Sequence, residues 1–119
     1  MTPTLVTVVI PTFKRPGYLR EALASVVAQT HRPLEVVVVD DAGDANTEAL
    51  TAEVVGAALP WRVVVQDRCG PSAARNAGLA RAEGRYIQFL DDDDTLFPDK
   101  IARQAAILDS CEVDVVFGD

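Results

Sequence analysis

The amino-acid sequence predicts a three-layer α/β domain whose sheet is mostly parallel. Short apolar, β-branched segments alternate with segments in which apolar residues recur at helical spacing. The order is strand then helix, four times, followed by a last strand, and the connections are short. Elements in this order form a parallel sheet that helices cover on both faces. The predicted strands are 5–10, 34–39, 61–65, 85–90 and 113–117, and the predicted helices are 17–28, 47–57, 70–83 and 98–109.

The first two strands carry the clearest signal. Residues 5–10 read L-V-T-V-V-I and are followed by Pro11, which we expect to end the strand. Residues 34–39 read L-E-V-V-V-V and are followed by Asp40 and Asp41. Continuous apolar runs of this length are typical of strands that are buried on both faces. We therefore expect helices on both sides of these two strands.

The third helix has recognisable signals at both ends. It opens at 70–72, because Ser72 is a preferred N-cap residue and Pro71 suits the first turn. It stops before Gly84, a usual C-terminal signal. Gly78 lies inside this helix at a cost of roughly 1 kcal/mol relative to alanine. That cost indicates close packing of the helix against the sheet.

Composition narrows the class of protein. The chain has 119 residues and a formal net charge of −7, which argues against nucleic acid as a partner. No apolar run approaches the roughly 18 residues of a membrane span, and the first residues lack the pattern of a signal peptide. We therefore expect a cytoplasmic protein. Cys69 and Cys111 lack the spacing of a zinc site, and the single histidine, His31, is typical of a surface or packing residue.

The predicted topology locates the functional residues. In open α/β sheets ligands bind beyond the carboxyl ends of the strands. The segments that follow strands one, two and four are 11–13, 40–41 and 91–94. Dinucleotide-binding glycines, a P-loop and a nucleophile elbow are all absent from the sequence. A phosphate group would have to be held in another way.

The acidic run at 91–94 offers that way. Four consecutive carboxylates repel one another, and carboxylate oxygens are ligands suited to Mg²⁺ or Mn²⁺. Along an extended backbone Asp91 and Asp93 would project to the same side and converge on one ion. Such an ion would neutralise a diphosphate and stabilise it as a leaving group. Asp92 and Asp94 satisfy the same D-x-D spacing, and a solvated acidic loop is the plain alternative.

Two further groups point to the same edge. Asp40 and Asp41 either cap the next loop or accept hydrogen bonds from a base N–H or a ribose hydroxyl. Arg75 lies near the start of the third helix, where a cation opposes the helix dipole. A role at the acidic site or at a phosphate would explain that position, and a solvated arginine is the alternative.

In this order the residues resemble the family-2 inverting glycosyltransferases. The resemblance covers essentially the whole chain. The motifs that carry it are V-V-I-P-T-F-K-R at 8–15, S-V-x-x-Q-T at 25–30, E-V-V-V-V-D-D at 35–41, A-R-N-A-G at 74–78, G-R-Y-I-Q-F-L-D-D-D-D at 84–94 and P-D-K at 98–100.

The resemblance implies a Rossmann-like domain of the GT-A type, a nucleoside-diphosphate sugar donor, UDP-linked, and Mn²⁺ or Mg²⁺. The family's L-D-x-D-D spelling favours Asp91 and Asp93 as metal ligands. The residues implied in donor binding are Pro11, Thr12, Phe13 and Arg15 at the nucleoside pocket, Asp40 and Asp41 at the uracil or ribose, Arg75 near the base or diphosphate, and Asp91 and Asp92 near the ribose and diphosphate.

Members of this family continue beyond the fifth strand with acceptor-binding segments and a carboxylate general base. No candidate for that base stands out in 1–119. We therefore expect residues 1–119 to be the donor-binding part of a longer domain, cut after the fifth strand, with the base beyond Asp119. The longer protein would be cytoplasmic or associated with the cytoplasmic face of a membrane. An exposed sheet edge would allow a homodimer.

Two other interpretations stay open. The spelling D-x-D-x-T at 91–95 also matches the nucleophile loop of haloacid-dehalogenase-like phosphatases, although that loop normally follows the first strand. A non-catalytic module that binds a nucleotide sugar or a partner protein is the other alternative, because the base is missing.

Overall fold

The computed structural model of the chain describes residues 4–110. Within that range it contains one parallel sheet of four strands in the order β3-β2-β1-β4, so β1 and β2 are central. The predicted fifth strand, 113–117, lies outside the described residues. The elements are β1 (Val6–Thr12), α1 (Pro16–Val27), β2 (Leu34–Asp40), α2 (Ala45–Val54), β3 (Trp61–Val65), α3 (Pro71–Arg81), β4 (Tyr86–Phe89) and α4 (Lys100–Ser110).

Consecutive side chains of β1 enter two different cores. Val8 belongs to a buried cluster with Leu23 of α1 and Ile101 of α4. Val9 belongs to a second cluster with Ala74 of α3. Successive residues of a strand point to opposite faces of the sheet. Helices therefore cover both faces, and the predicted three-layer fold is confirmed.

The helices are short, with 12 residues in α1, 10 in α2 and 11 each in α3 and α4. Their bounds lie within three residues of the predicted ones. Among residues 4–110, no helix combines the length and the apolar character that crossing a membrane requires.

Gly78 explains how closely α3 approaches the sheet. A Cβ atom at this position would overlap the side chain of Val9 and lie 3.2 Å from Cγ2 of Val39. Real Cβ atoms do not come that close to a packed side chain, because protein interiors have crystal-like density. The close packing predicted from Gly78 is confirmed, and it brings the start of α3 to the carboxyl edge of the sheet.

The prediction that Pro11 ends the first strand is wrong, since β1 continues to Thr12. The Val9 carbonyl accepts from Leu90 N, so Val9 and Pro11 direct their backbone polar groups toward β4. The ladder between β1 and β4 ends at the pair Val9–Phe89. No N–H donor is required at Pro11 for that reason, and a proline fits inside the strand.

The predicted N-cap of the third helix is also wrong. Gly70 is the N-cap of α3, with φ 90°, and Pro71 is the first helical residue as expected. A residue before proline avoids the helical region, and a positive φ suits glycine. Because Pro71 sets the first position of the helix, the cap falls on Gly70 and Ser72 lies inside the first turn.

Candidate functional site

A cleft of about 690 Å³ opens at the carboxyl edge of the sheet. Its volume is in the range of small-molecule sites in proteins. Every residue that the sequence predicted for binding or metal ligation lines it, except Asp40. That they bind a ligand stays a prediction. The lining residues are Pro11, Thr12, Phe13, Arg15, Asp41, Arg68, Gly70, Pro71, Ala74, Arg75, Asp91, Asp92 and Asp93.

Asp40 and Asp41 have different roles although they are adjacent. The Asp40 carboxylate accepts from Ala42 N at 2.9 Å and from Asp44 N at 2.8 Å, so it caps its own loop. It lies outside the cleft lining. The Asp41 carboxylate is held at the cleft, where it accepts from Cys69 N at 2.8 Å and from Gly70 N at 3.1 Å.

The hydrogen bonds around Asp41 set its charge. Burial raises the pKa of this carboxyl, but three hydrogen bonds and a nearby cation lower it more. The donors are Cys69 N, the Gln66 side chain and Gly70 N, and the cation is the Arg68 guanidinium. The net result is a pKa below the ordinary value of an aspartic acid. The cleft therefore holds a fixed negative charge at neutral pH.

Gln66 and Arg68, in the loop from Gln66 to Gly70, were missed by the sequence analysis. This loop follows β3, so the carboxyl-edge rule applied to strand three would have found them. Arg68 has φ 46°, and its guanidinium carbon lies 5.5 Å from the centre of the Phe13 ring. Lys14 Nζ lies 5.4 Å from the same ring. Phe13 is thus an exposed aromatic ring in the cleft lining, with two cations close to it.

The four carboxylates at 91–94 separate into two groups. Asp92 is buried and accepts from Thr12 Oγ1 at 2.9 Å, so it ties the acidic run to β1. Asp91, Asp93 and Asp94 are exposed, and one oxygen from each lies within 4.8 Å of the others. The predicted pair 91/93 therefore converges, with Asp94 as a third member. Asp92 of the alternative pair 92/94 is not part of this group, since it is buried and bonded to Thr12.

The three carboxylates converge because of a turn, and not because of the extended backbone that was expected. An extended backbone was predicted to place Asp91 and Asp93 on one side. The structure has a turn instead, closed by a hydrogen bond of 3.0 Å from Asp94 N to Asp91 O. The turn brings Asp91 and Asp94 together across its ends, which an extended strand cannot do. Oxygen ligands spaced in this way suit Mg²⁺ or Mn²⁺.

Two arginines pair with different carboxylates of the acidic turn. Arg15 Nη1 lies 3.5 Å from Asp92 Oδ1 and 3.5 Å from Asp93 Oδ2. Arg75 Nη2 lies 3.3 Å from Asp91 Oδ1, so Arg75 does reach the acidic site. Both arginines are about half exposed, and ion pairs of this kind contribute at most about 1 kcal/mol. Both side chains therefore remain available to an anionic ligand in the cleft.

Two residues that the sequence analysis set aside lie outside the chemistry of the cleft. His31 Nε2 is 2.7 Å from the carbonyl of Thr4, which supports the packing role. Cys69 is exposed, and its Sγ is 3.3 Å from the carbonyl of Asp67. Cys69 contributes to the site through its backbone N–H, which Asp41 binds.

The cleft, the acidic turn and the two arginines all lie at the carboxyl edge of the parallel sheet, which is where open α/β domains bind their ligands. The chain belongs to the Glycosyl transferase family 2, whose sequence profile matches residues 7–119. The family predicted from the motifs is thereby confirmed. Because the match includes residues 91–95, the D-x-D-x-T spelling there belongs to a glycosyltransferase sequence and not to a phosphatase.

Relatives and solved structures agree with this assignment. The chain is 37% identical over 106 residues to an uncharacterized glycosyltransferase of Rickettsia felis, a match that covers 89% of this chain and 17% of that protein. It is similar to S. aureus TarS 1-349 in complex with UDP, with a TM-score of 0.77, 32% identity, and coverage of 88% of this chain and 32% of that one.

A second solved structure is the mannosyltransferase PcManGT from Pyrobaculum calidifontis in complex with GDP-Man and Mn²⁺. The TM-score is 0.75 at 27% identity, and the match covers 90% of this chain and 32% of that one. The predicted GT-A type fold is confirmed. The chain spans a third or less of the length of each of these three proteins.

Proposed function

We propose that residues 1–119 are the donor-binding part of a glycosyltransferase that moves a sugar from a nucleoside-diphosphate sugar, UDP-linked, to an acceptor hydroxyl with inversion. One observation carries the proposal: a single cleft gathers the acidic turn, two arginines and Asp41 at the carboxyl edge of the sheet. TarS, a similar protein, is solved with UDP, and PcManGT with GDP-Man. These ligands are of the class that we propose.

The nucleoside end of the cleft is formed by Phe13, Asp41 and Arg68. We propose that the Phe13 ring packs on the base, since aromatic faces stack on bases without sequence preference. The Asp41 oxygens, held by the loop after β3, would accept from a base N–H or a ribose hydroxyl. Pro11 and Thr12 form the floor beside them. This arrangement fixes the orientation of the nucleoside.

The diphosphate end of the cleft is formed by the acidic turn and the arginines. The donor set fits a divalent cation, because three exposed carboxylate oxygens converge there. Asp91 and Asp93, with Asp94, would hold Mn²⁺ or Mg²⁺. When bound, such an ion neutralises a diphosphate and stabilises it as a leaving group. Arg15 and Arg75 would turn from their carboxylates toward the phosphates, and the first turn of α3 adds its dipole.

Inversion requires one in-line displacement in which a carboxylate removes the proton of the acceptor hydroxyl. We propose that this base and the acceptor-binding residues belong to a part of the protein beyond residue 119. We also propose that the protein acts in the cytoplasm or on the cytoplasmic face of a membrane. A homodimer through an exposed sheet edge is part of the same proposal.

Calorimetry with UDP, in the presence and absence of Mn²⁺, tests the donor site. The unsubstituted chain is expected to bind UDP more tightly when Mn²⁺ is present. Asp93→Ala is expected to remove the metal dependence and to leave the free energy of unfolding unchanged within about 0.5 kcal/mol, as for other exposed positions. Asp93 is exposed, so its loss leaves no buried group without a partner.

Asp99→Ala is the matched control, since Asp99 is an exposed aspartate outside the cleft lining that pairs with Arg103 on α4 at 3.7 Å. It should keep the metal dependence. Metal-independent binding by the unsubstituted chain, or no binding at millimolar UDP, would count against the proposal. Unfolding of Asp93→Ala would show that this residue serves the fold.

A further inference from the structure

The end of α1 holds the segment that follows the acidic turn. Four hydrogen bonds join α1 and the residues just after it to this segment. Ser25, Gln29 and Thr30 take part in them, and we call these three residues the α1 clamp. Leu96 N donates to Ser25 Oγ at 3.1 Å, Gln29 Nε2 to Phe97 O at 2.7 Å, Thr30 N to Pro98 O at 2.9 Å and Ile101 N to Gln29 Oε1 at 3.2 Å.

Gln29 is the centre of the clamp. It is 3% exposed, and its amide uses both kinds of polar atom: Nε2 donates to Ser25 O as well as to Phe97 O, while Oε1 accepts from Ile101 N. A primary amide is suited to this position because it presents a donor and an acceptor together. A carboxylate could not donate, and an apolar side chain would leave buried backbone groups without partners.

The acidic turn is thereby fixed at both ends. At its start, Leu90 N donates to Val9 O at 3.0 Å, and Asp92 accepts from Thr12 of β1. At its end, Leu96 is buried and bonded to the clamp, two residues after Asp94. Between these anchors the chain has little freedom, so the position of the clamp sets where Asp93 and Asp94 lie relative to Asp91.

We propose that Gln29 is a positioning residue of the cation site: it touches no ligand, but it fixes the exit of the acidic turn and thus the spacing of the three converging carboxylates. The proposal rests on the proposed function, because it assumes that these carboxylates hold a divalent ion. Partners that orient metal ligands typically change metal affinity by 10- to 100-fold when they are lost.

The test compares Gln29→Met with Thr7→Val. Thr7 is also fully buried, and its hydroxyl donates to Glu35 at 2.6 Å and accepts from Gly84 N at 2.8 Å, but it lies at the amino edge of the sheet. Both substitutions replace a buried polar side chain by an apolar one of similar size. Both should lower stability toward urea, and only the first should act on the acidic turn.

Two readouts separate positioning from a general loss of stability. Mn²⁺ binding, followed by the electron paramagnetic resonance signal of free Mn²⁺ at a fixed UDP concentration, should weaken roughly tenfold or more in Gln29→Met. Amide hydrogen exchange without metal should become faster at Asp94 and Leu96 in that variant. Thr7→Val should leave both measurements within about twofold of the unsubstituted chain, as expected for a distant site.

Should Gln29→Met not fold, Ser25→Ala removes the acceptor of Leu96 N, together with the hydroxyl's donation to Ala22 O within α1, and leaves the Gln29 amide in place. It should shift both readouts in the same direction. Unchanged Mn²⁺ affinity and unchanged exchange at 94–96, in a variant that is otherwise destabilised, would overturn the positioning role alone. Absence of Mn²⁺ binding by the unsubstituted chain would overturn the proposed function and this proposal with it.

Discussion

The two edges of the sheet hold buried carboxylates in opposite ways. At the amino edge, Glu35 accepts from Thr7 Oγ1 at 2.6 Å and from Glu83 N at 2.8 Å, and its partners all belong to the protein interior or to the end of α3. At the carboxyl edge, Asp92 accepts from Thr12 on one side, and on the other side it faces the half-exposed guanidinium of Arg15.

The difference shows that burial of an acid does not by itself mark a functional residue. Glu35 and Asp41 belong to the same sequence motif, 35–41, and both are buried. Glu35 joins β1, β2 and the segment after α3, and it does not line the cleft at the carboxyl edge. Asp41 also holds a loop, but it lines the cleft beside exposed cations. Both carboxylates have hydrogen-bond partners within the protein, as most buried polar groups do, so the position at the cleft is what distinguishes Asp41.

The largest expected effect lies at the amino edge. In Gly84→Ala the new Cβ would lie 2.5 Å from Thr7 Oγ1 and 2.6 Å from Thr7 N, and the backbone of a central strand cannot give way. Overpacking of this kind should lower the free energy of unfolding by roughly 2–3 kcal/mol, measured by urea denaturation. The affinity of the folded fraction for UDP should not change.

Gly17→Ala is the control for this substitution. A Cβ there would meet nothing within 4 Å, and Gly17 lies in the first turns of α1, so stability should rise by up to about 1 kcal/mol. Loss of UDP affinity in folded Gly84→Ala would break the comparison, because it would show that the two edges are coupled.

The second prediction concerns pH and the carboxyl edge. Folding lowers the pKa of Asp41, so the stabilisation by its carboxylate is present above the ordinary pKa of 3.8 and is lost as the pH falls through the folded value. Asp41→Asn should therefore be less stable than the unsubstituted chain at pH 7, and the difference should shrink below pH 3.8.

Urea denaturation of both proteins between pH 7 and pH 3 measures this difference. Amide resonances of Cys69 and Gly70 should shift over the same acidic range, because both donate to the Asp41 carboxylate. A stability difference that stays constant down to pH 3 would contradict the assignment of the charge to Asp41.

Most of the fold could be predicted because its signals are local. Continuous apolar runs defined β1 and β2, and Gly78 indicated the close approach of α3. The error at Pro11 has a tertiary cause, because the tolerance of proline there depends on where β4 ends. The error at Ser72 has a local cause: Pro71 sets the first position of the helix and so places the cap on Gly70.

The site was predictable as a location but not in its details. The carboxyl-edge rule located Asp41, Arg75 and the acidic run. It did not distinguish Asp40 from Asp41, because adjacent residues at a strand end point to opposite sides and the sequence does not say which side is the cleft. Arg68 was missed because the rule was not applied to the third strand. Its contact with Phe13 also depends on the loop that Asp41 holds across 25 or more residues of sequence.

The smallest expected effect concerns Arg15 at the carboxyl edge, which pairs with carboxylates and is proposed to bind the diphosphate. Arg15 lies 3.5 Å from both Asp92 and Asp93, where its guanidinium competes with a cation for the same carboxylates. Without nucleotide, Arg15→Ala should therefore bind Mn²⁺ roughly two- to fivefold more tightly, the scale of an exposed ion pair. With Mn²⁺ present, UDP should bind more weakly, since a cation for the diphosphate is lost.

The matched control is Arg20→Ala, because Arg20 lies on α1, is exposed to the same degree and pairs with Glu53 at 2.7 Å away from the cleft. Calorimetry should show no change for Mn²⁺ or UDP in that variant. If Arg15→Ala weakened both ligands, Arg15 would act as a support of the acidic turn and not as a competitor of the metal. Opposite signs for the two ligands are what a group shared between carboxylates and diphosphate requires, and no purely structural arginine would produce them.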